Sequence, residues 1–232
     1  MTSLQDPTGR RGWVVAIDGP AGAGKSTVAA YLARTFGLLN LETGAMYRAL
    51  ALKALRNSTP VDDGAAVLAL TATTHITLEP GEGGNRVMLD GEDVTGQLRV
   101  PEVTQAASHV SVHGPVRAWM VDAQRTLGLG APSGVVMEGR DIGTVVFPNA
   151  AVKIFLDASV EARGDRRFAQ QPAMEAKEAV LREMRERDRR DRERLESPMR
   201  PATDAVVLDT TGMTLEQVLQ QASDLVANAL RS

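Results

Sequence analysis

The chain has 232 residues and a net charge of −3, with 43% apolar residues, 24% charged residues, 3% aromatics and no cysteine. That length can bury the core of one domain, the missing cysteines exclude disulfides and thiolate metal sites, and no apolar run approaches the ~20 residues of a membrane-spanning helix. The acidic balance opposes general nucleic-acid binding, and the scarce aromatics leave little platform for stacking bases. Residues 1–11 read as a disordered polar leader without the apolar stretch of a signal peptide, so the cytoplasm is the expected compartment.

Trp13-Val-Val-Ala-Ile17 predicts a buried strand running into a glycine-rich turn. Val28, Ala29, Leu32, Ala33 and Phe36 recur at helical spacing, which predicts a helix over 25–36. Further helices are expected over 45–55 and 64–70. Residues 75–79 and 86–89 then alternate apolar with polar around turns at 80–85 and at Asp90-Gly91, the pattern of a small antiparallel ribbon. Helix resumes over 100–127. Buried strands are expected over 134–137 and 152–156, with a helix over 160–168 after the second. A long charged helix over 175–195 follows a Gln/Pro break, then a strand over 205–208 and an amphipathic helix over 214–230. Strands alternating with helices predict an α/β three-layer sandwich, a parallel sheet flanked by helices, with the ribbon as an insertion.

Gly19-Pro20-Ala21-Gly22-Ala23-Gly24-Lys25-Ser26, followed by Thr27, satisfies the phosphate-loop pattern G-x-x-x-x-G-K-[ST]. Small residues let successive backbone amides converge on phosphates at the positive end of the next helix. Lys25 can reach the β- and γ-phosphates and the Ser26 hydroxyl can sit on Mg²⁺. A strand precedes the loop and a helix follows, as the motif requires. The base-reading N-K-x-D of GTPases is absent. A kinase is favoured.

Four more clusters carry chemistry. Glu42-Thr-Gly-Ala-Met-Tyr-Arg48 opens a helix, and Glu138-Gly-Arg-Asp-Ile-Gly-Thr144 follows a strand at the sheet edge where α/β proteins place ligands. Arg187, Asp191 and Arg194 lie at i, i+4 and i+7, within a ~60° arc of one helix face. Ser108 and Arg117 share the helical stretch after the ribbon. With these motifs the sequence, from Val14 to Leu230, resembles the bacterial cytidylate kinases, a family of nucleoside monophosphate (NMP) kinases.

The resemblance implies a P-loop NTPase fold and transfer of phosphate from ATP, with Mg²⁺, to CMP or dCMP. It implies that Arg48, Arg140 and Arg194 hold the acceptor phosphate, and that Ser108, Arg117 and Asp141 read the cytosine edge. Arg187 and Asp191 would contact the sugar, with Thr43 and Tyr47 in the pocket, and Arg163 and Arg167 would approach the ATP phosphates. Lys25, Arg140, Arg163, Arg167 and Arg187 are then the candidate catalytic residues. It further implies a core of 12–42 and 109–232 carrying a short lid about 165–180, and an NMP-binding region over 43–108 with its ribbon about 73–100. A monomer acting on nucleotides is expected, with neither nucleic acid nor membrane as partner. Two other readings stand beside it: a P-loop kinase for a small molecule such as shikimate or gluconate, which needs fewer acceptor-side arginines, and a nucleotide-gated nucleic-acid-binding module.

The charged helix also admits a plain reading, because Glu183/Arg187, Glu186/Arg190 and Asp188/Arg192 are favourably ordered i,i+4 pairs. Arg185, Arg189 and Arg192 are expected on its solvated face. His109 and His113 stand four apart without the glutamate of a zinc helix, so an incidental pairing is expected.

Overall fold

The structure, a computed structural model, describes residues 12–81, 84–170 and 177–231. The leader expected over 1–11 and part of the expected lid, 171–176, lie outside the described residues. Five parallel strands, β1 (Val14–Asp18), β2 (Leu39–Glu42), β6 (Val135–Gly139), β7 (Val152–Asp157) and β8 (Val206–Asp209), form one sheet in the order β2-β6-β1-β7-β8. β3 (Ile76–Gly81), β4 (Gly84–Leu89) and β5 (Glu92–Asp93) form the separate antiparallel insertion. Asp90 and Gly91, both at positive φ (51° and 89°), make the tight turn that leads β4 into β5.

The central strand explains the layering. Successive side chains of β1 point to opposite faces. Val14 and Ala16 join Leu41, Val135 and Met137 in one apolar cluster, while Val15 and Ile17 join Val136, Ile154 and Leu156 in the other. On the second face α1 (Lys25–Phe36) contributes Val28 and Leu32, and α8 (Leu215–Ala229) contributes Val218 and Val226. On the first face α2 (Thr43–Arg56), α3 (Gly64–Thr71), α4 (Pro101–Val110) and α5 (Gly114–Gly130) supply Met46, Val67, Val110 and Met120. Ile17 is fully buried, so its truncation to alanine costs ~2–5 kcal/mol by leaving a cavity.

Three departures from the sequence reading bear on function. The stretch over 100–127 is two helices, broken at residues 111–113, with Pro115 in the first turn of α5. The break frees the Ser111 carbonyl, which accepts from Arg117 Nη1 at 3.0 Å. The strand expected over 134–137 runs on to Gly139, because Glu138 and Gly139 still pair with Ile17 and Asp18. Glu138 is therefore fixed in the sheet and buried. After it, residues Ile142–Val146 form one turn of π-helix that the periodicity did not announce.

Candidate active site

The glycine loop folds between β1 and α1. Gly19 has φ 144°, and a Cβ there would lie 2.0 Å from the Leu156 carbonyl oxygen, so the loop passes too close to β7 for any side chain. Gly24, at φ 95°, turns the chain into α1. Lys25 is buried and donates to the Pro20 carbonyl at 2.7 Å, while Ser26 and Thr27 are exposed. Burial, with help from Arg140 and Arg187, pushes the Lys25 amine down to about 7.

That electrostatic neighbourhood joins the two halves of the site. Arg140, in the loop after β6, donates from Nε to Asp191 Oδ2 at 2.8 Å on α7 (Lys177–Glu193). Arg194, just past α7, lies 3.8 Å from both Asp191 and Asp141, and donates from Nε to the Ser197 carbonyl at 2.6 Å. Ser197 itself sits at φ 51°, a strained conformation of the kind that collects at functional sites. Asp141 in turn accepts from Arg117 Nη2 at 2.5 Å, and the Arg117 guanidinium stands 5.6 Å from the Tyr47 ring centroid. Burial pushes the Tyr47 hydroxyl up to about 12. Tyr47, Arg117, Asp141, Arg194, Asp191 and Arg140 thus form one continuous network.

Arg187 is half-buried on α7 and is pushed down to about 10, by burial first and then by Arg140, with Arg48 and Arg167 adding to it. Burial opposes ionisation of Asp191, but Arg140, Arg187 and Arg194 outweigh it and hold that carboxyl below its ordinary range. Arg140, Arg187 and Arg194 thus crowd around the one Asp191 carboxylate. Arg48 is paired with Glu42, and its Nε is buried without a partner. Ser108 Oγ, Arg117 Nε, Arg194 Nη2 and Glu138 Oε1 are also buried and make no hydrogen bond, although Arg194 Nη2 keeps its 3.8 Å ion pair with Asp141. Such atoms are rare and call for an explanation. The guanidinium nitrogens among them suit an acceptor such as a phosphate oxygen, whereas Glu138 Oε1 suits a donor or a cation.

Other expected site residues lie elsewhere in the framework. Thr43 is buried and donates to the Glu138 carbonyl at 2.6 Å, tying the start of α2 to the end of β6. Arg163, on α6 (Val160–Gln170), donates to the Ala158 carbonyl, to the Ala21 carbonyl of the glycine loop at 3.0 Å, and to Asp188 at 2.6 Å. Only 1% exposed, it braces the loop from beneath. Asp188 is thus taken from the i,i+4 partner the sequence suggested, and Arg192 reaches Asp157 at 4.0 Å instead. Arg167 keeps a partly exposed guanidinium 3.5 Å from Glu183. Arg185, Arg189 and Arg192 lie on the solvated face, as expected. A hollow of about 620 Å³ opens there, lined by Ser159, Arg163, Arg192 and Thr211, and none of Arg48, Arg140 and Asp141 borders it. His109 pairs with Asp62 at 2.7 Å and His113 with the Val61 carbonyl at 2.8 Å, so each has a local structural partner.

The sequence reading missed Asp18. Its buried carboxylate accepts from the Ile142 and Gly143 amides at 2.8 and 2.7 Å, fixing the turn that presents Asp141. Burial pushes it up to about 6. An acid ending an apolar central strand, directly before a glycine loop, is the signal that could have found it.

Residues 15–228 match the family model described as cytidylate kinase. The chain belongs to the cytidylate kinase family. A cytidylate kinase of Geobacillus sp. (strain WCH70) is 46% identical over 215 residues, covering 91% of this chain and 95% of that protein. The cytidylate kinase of Pasteurella multocida (strain Pm70) is 41% identical over 220 residues, 94% of this chain and 96% of its own. Among solved structures, a gluconokinase from Sinorhizobium meliloti 1021 aligns over 94% of each chain at 14% identity, with a TM-score of 0.49, and at that level assigns no acceptor. Membership makes this family's phosphate-transfer chemistry the frame for the cleft. No helix among the described residues is long and apolar enough to cross a membrane.

Proposed function

We propose that the protein transfers the γ-phosphoryl group of ATP to CMP or dCMP, releasing ADP and the cytidine diphosphate. One arrangement supports this above the rest: Asp191 gathers Arg140 and Arg194 at 2.8 and 3.8 Å, and Arg140 stands near enough to Lys25 to help depress its amine, so acceptor-side arginines neighbour the phosphate-loop lysine. The loop amides and Lys25 receive the ATP phosphates; Arg48, Arg140 and Arg194 hold the acceptor phosphate; Arg187 and Asp191 contact the sugar. Ser108, Arg117 and Asp141 read the base. The buried Ser108 hydroxyl, which makes no hydrogen bond, supports its assignment to the base edge.

The acceptor phosphate is already a dianion near neutral pH, so its oxygen attacks the γ-phosphorus in line, the bond to the β-phosphate oxygen breaks, and no strong base is required. The protein's task is to align the two phosphates and neutralise the charge on the transferring group. Arg163 serves that task indirectly by holding Ala21, and Arg167, one turn further along α6, is assigned to the ATP phosphates. Glu138 Oε1 is buried without a hydrogen-bond partner, and Ser26 lies near enough to oppose the rise that burial gives this carboxyl. Oxygen donors of this kind suit Mg²⁺, which keeps most of its ligands as water and phosphate. Ser26 and Glu138 would hold it, and bound there it would neutralise the donor phosphates.

A kinetic panel of CMP, dCMP, UMP, AMP, GMP, gluconate and shikimate with ATP and Mg²⁺ tests the reading. CMP and dCMP should lead by a wide margin, because a buried donor–acceptor pair left unmatched by the wrong base is costly. UMP outrunning CMP, or turnover of gluconate or shikimate alone, would overturn it.

A further inference from the structure

Glu42 is shared by two arginines. One carboxylate oxygen pairs with Arg48, in the first turns of α2, and the other lies 3.3 Å from Arg99 Nη2, in the segment leading from the ribbon to α4. Arg99 is 77% exposed in its side chain, and no other acid among the described residues is paired with it. Two guanidinium groups from separate parts of the fold therefore already close on one anionic group. Between them lies a hollow of only about 40 Å³, bordered by Glu42, Arg48, Asn85, Thr95 and Arg99. A space of that size admits about one water molecule. A phosphate does not fit while the Glu42 carboxylate stays, and the same two guanidinium groups are shaped for either anion.

We propose that Arg99 is a further acceptor-phosphate residue, brought in by the ribbon segment, and that Glu42 occupies its phosphate-binding position until the nucleotide displaces it. The proposal rests on the acceptor-pocket reading above. Arg48 also lies within the field of Arg187, so Arg99 extends the acceptor cations toward the ribbon rather than forming a separate site. Its exposed, unconfined guanidinium swings in as the carboxylate leaves. Ribbon position is thereby tied to the presence of a phosphate on the acceptor.

The test compares wild type, Arg99→Ala, Arg99→Lys, Glu42→Gln and the double variant Glu42→Gln/Arg99→Ala. Calorimetry gives affinities for CMP and for cytidine, and steady-state kinetics gives KM for ATP. Arg99→Ala should weaken CMP binding about tenfold while leaving cytidine binding and the KM for ATP within twofold, and Arg99→Lys should recover part of the loss. The loss should persist in the Glu42→Gln background. If the double variant binds CMP as well as Glu42→Gln alone, Arg99 acts only by restraining Glu42 and the proposal falls. It falls equally if CMP and cytidine weaken together, or if CMP affinity is unchanged. A wild-type protein that binds no CMP would instead overturn the acceptor reading itself.

Discussion

Arg140 Nε donates to Asp191 Oδ2 at 2.8 Å, joining the loop after β6 to the helix that follows the expected lid. The contact holds a cation at the mouth of the acceptor pocket while leaving the rest of its guanidinium fork free for phosphate; Nη1 makes only a 3.3 Å contact to its neighbour Gly139. Arg140→Ala should therefore lower kcat by ~10²-fold or more. Because the arginine is half-buried and has no core role, the melting temperature should change by only a few degrees. A folded Arg140→Ala protein with near-normal turnover would remove it from the site.

Base choice should depend on Asp141 and Arg117 together. Asp141→Asn converts an acceptor-only group into one that also donates, and it leaves the buried Arg117 without its charge partner. The expected result is a fall in kcat/KM for CMP of ~10²-fold or more, with UMP reduced much less. Equal losses for both bases would show that Asp141 supports the loop without reading the base.

Arg163 and Arg167 should separate cleanly. Arg163→Ala strands Asp188 in the interior without its cation, which costs ~3–5 kcal/mol of stability in a denaturant titration. Arg167, part-exposed with a single distant carboxylate, should change stability by no more than ~0.5 kcal/mol on truncation, so any kinetic loss reports on ATP. An Arg163→Ala protein as stable as wild type would contradict the bracing role.

Lys25 gives the site a proton signature. In the nucleotide-free fold its amine titrates near 7, against an ordinary 10.5. Below pH 7 both folded and unfolded chains hold the proton, and the buried charge is unfavourable. As pH rises from 7 toward 10 the unfolded chain holds a proton that the fold lacks, so Lys25's contribution to stability improves with pH. Polyphosphate restores the charge. Calorimetry of ATP binding at pH 8, in two buffers of different ionisation enthalpy, should show net proton uptake, and Lys25→Met should abolish it. Equal heats in the two buffers would contradict the shift.

Much of this was legible from residue order. The glycine loop, the charged helix and the ribbon carry local signals: spacing, alternation and turn residues. The helix over 25–36 is set by its period, and the preceding strand by a short apolar run that ends in a glycine turn. What escaped was non-local. Asp18 reads as the end of a strand until β6 brings Ile142 and Gly143 within 2.8 Å of it. Asp188 reads as a surface partner of Arg192 until α6 delivers a buried Arg163 to it. Glu138 looks like a loop residue because strand pairing, invisible in one sequence, extends β6 by two positions. The π-turn over Ile142–Val146 has no period long enough to register.

A bisubstrate ligand, cytidine and adenosine joined through five phosphates, tests most directly whether two anion pockets face each other across a single cleft. Linking makes the second binding event intramolecular, so the wild-type protein should bind it at least ~10²-fold more tightly than ATP or CMP alone. Lys25→Ala and Arg140→Ala should each forfeit most of that gain. Affinity no better than ATP's, or a gain untouched by Arg140→Ala, would show that the acceptor arginines do not address the same ligand as the glycine loop.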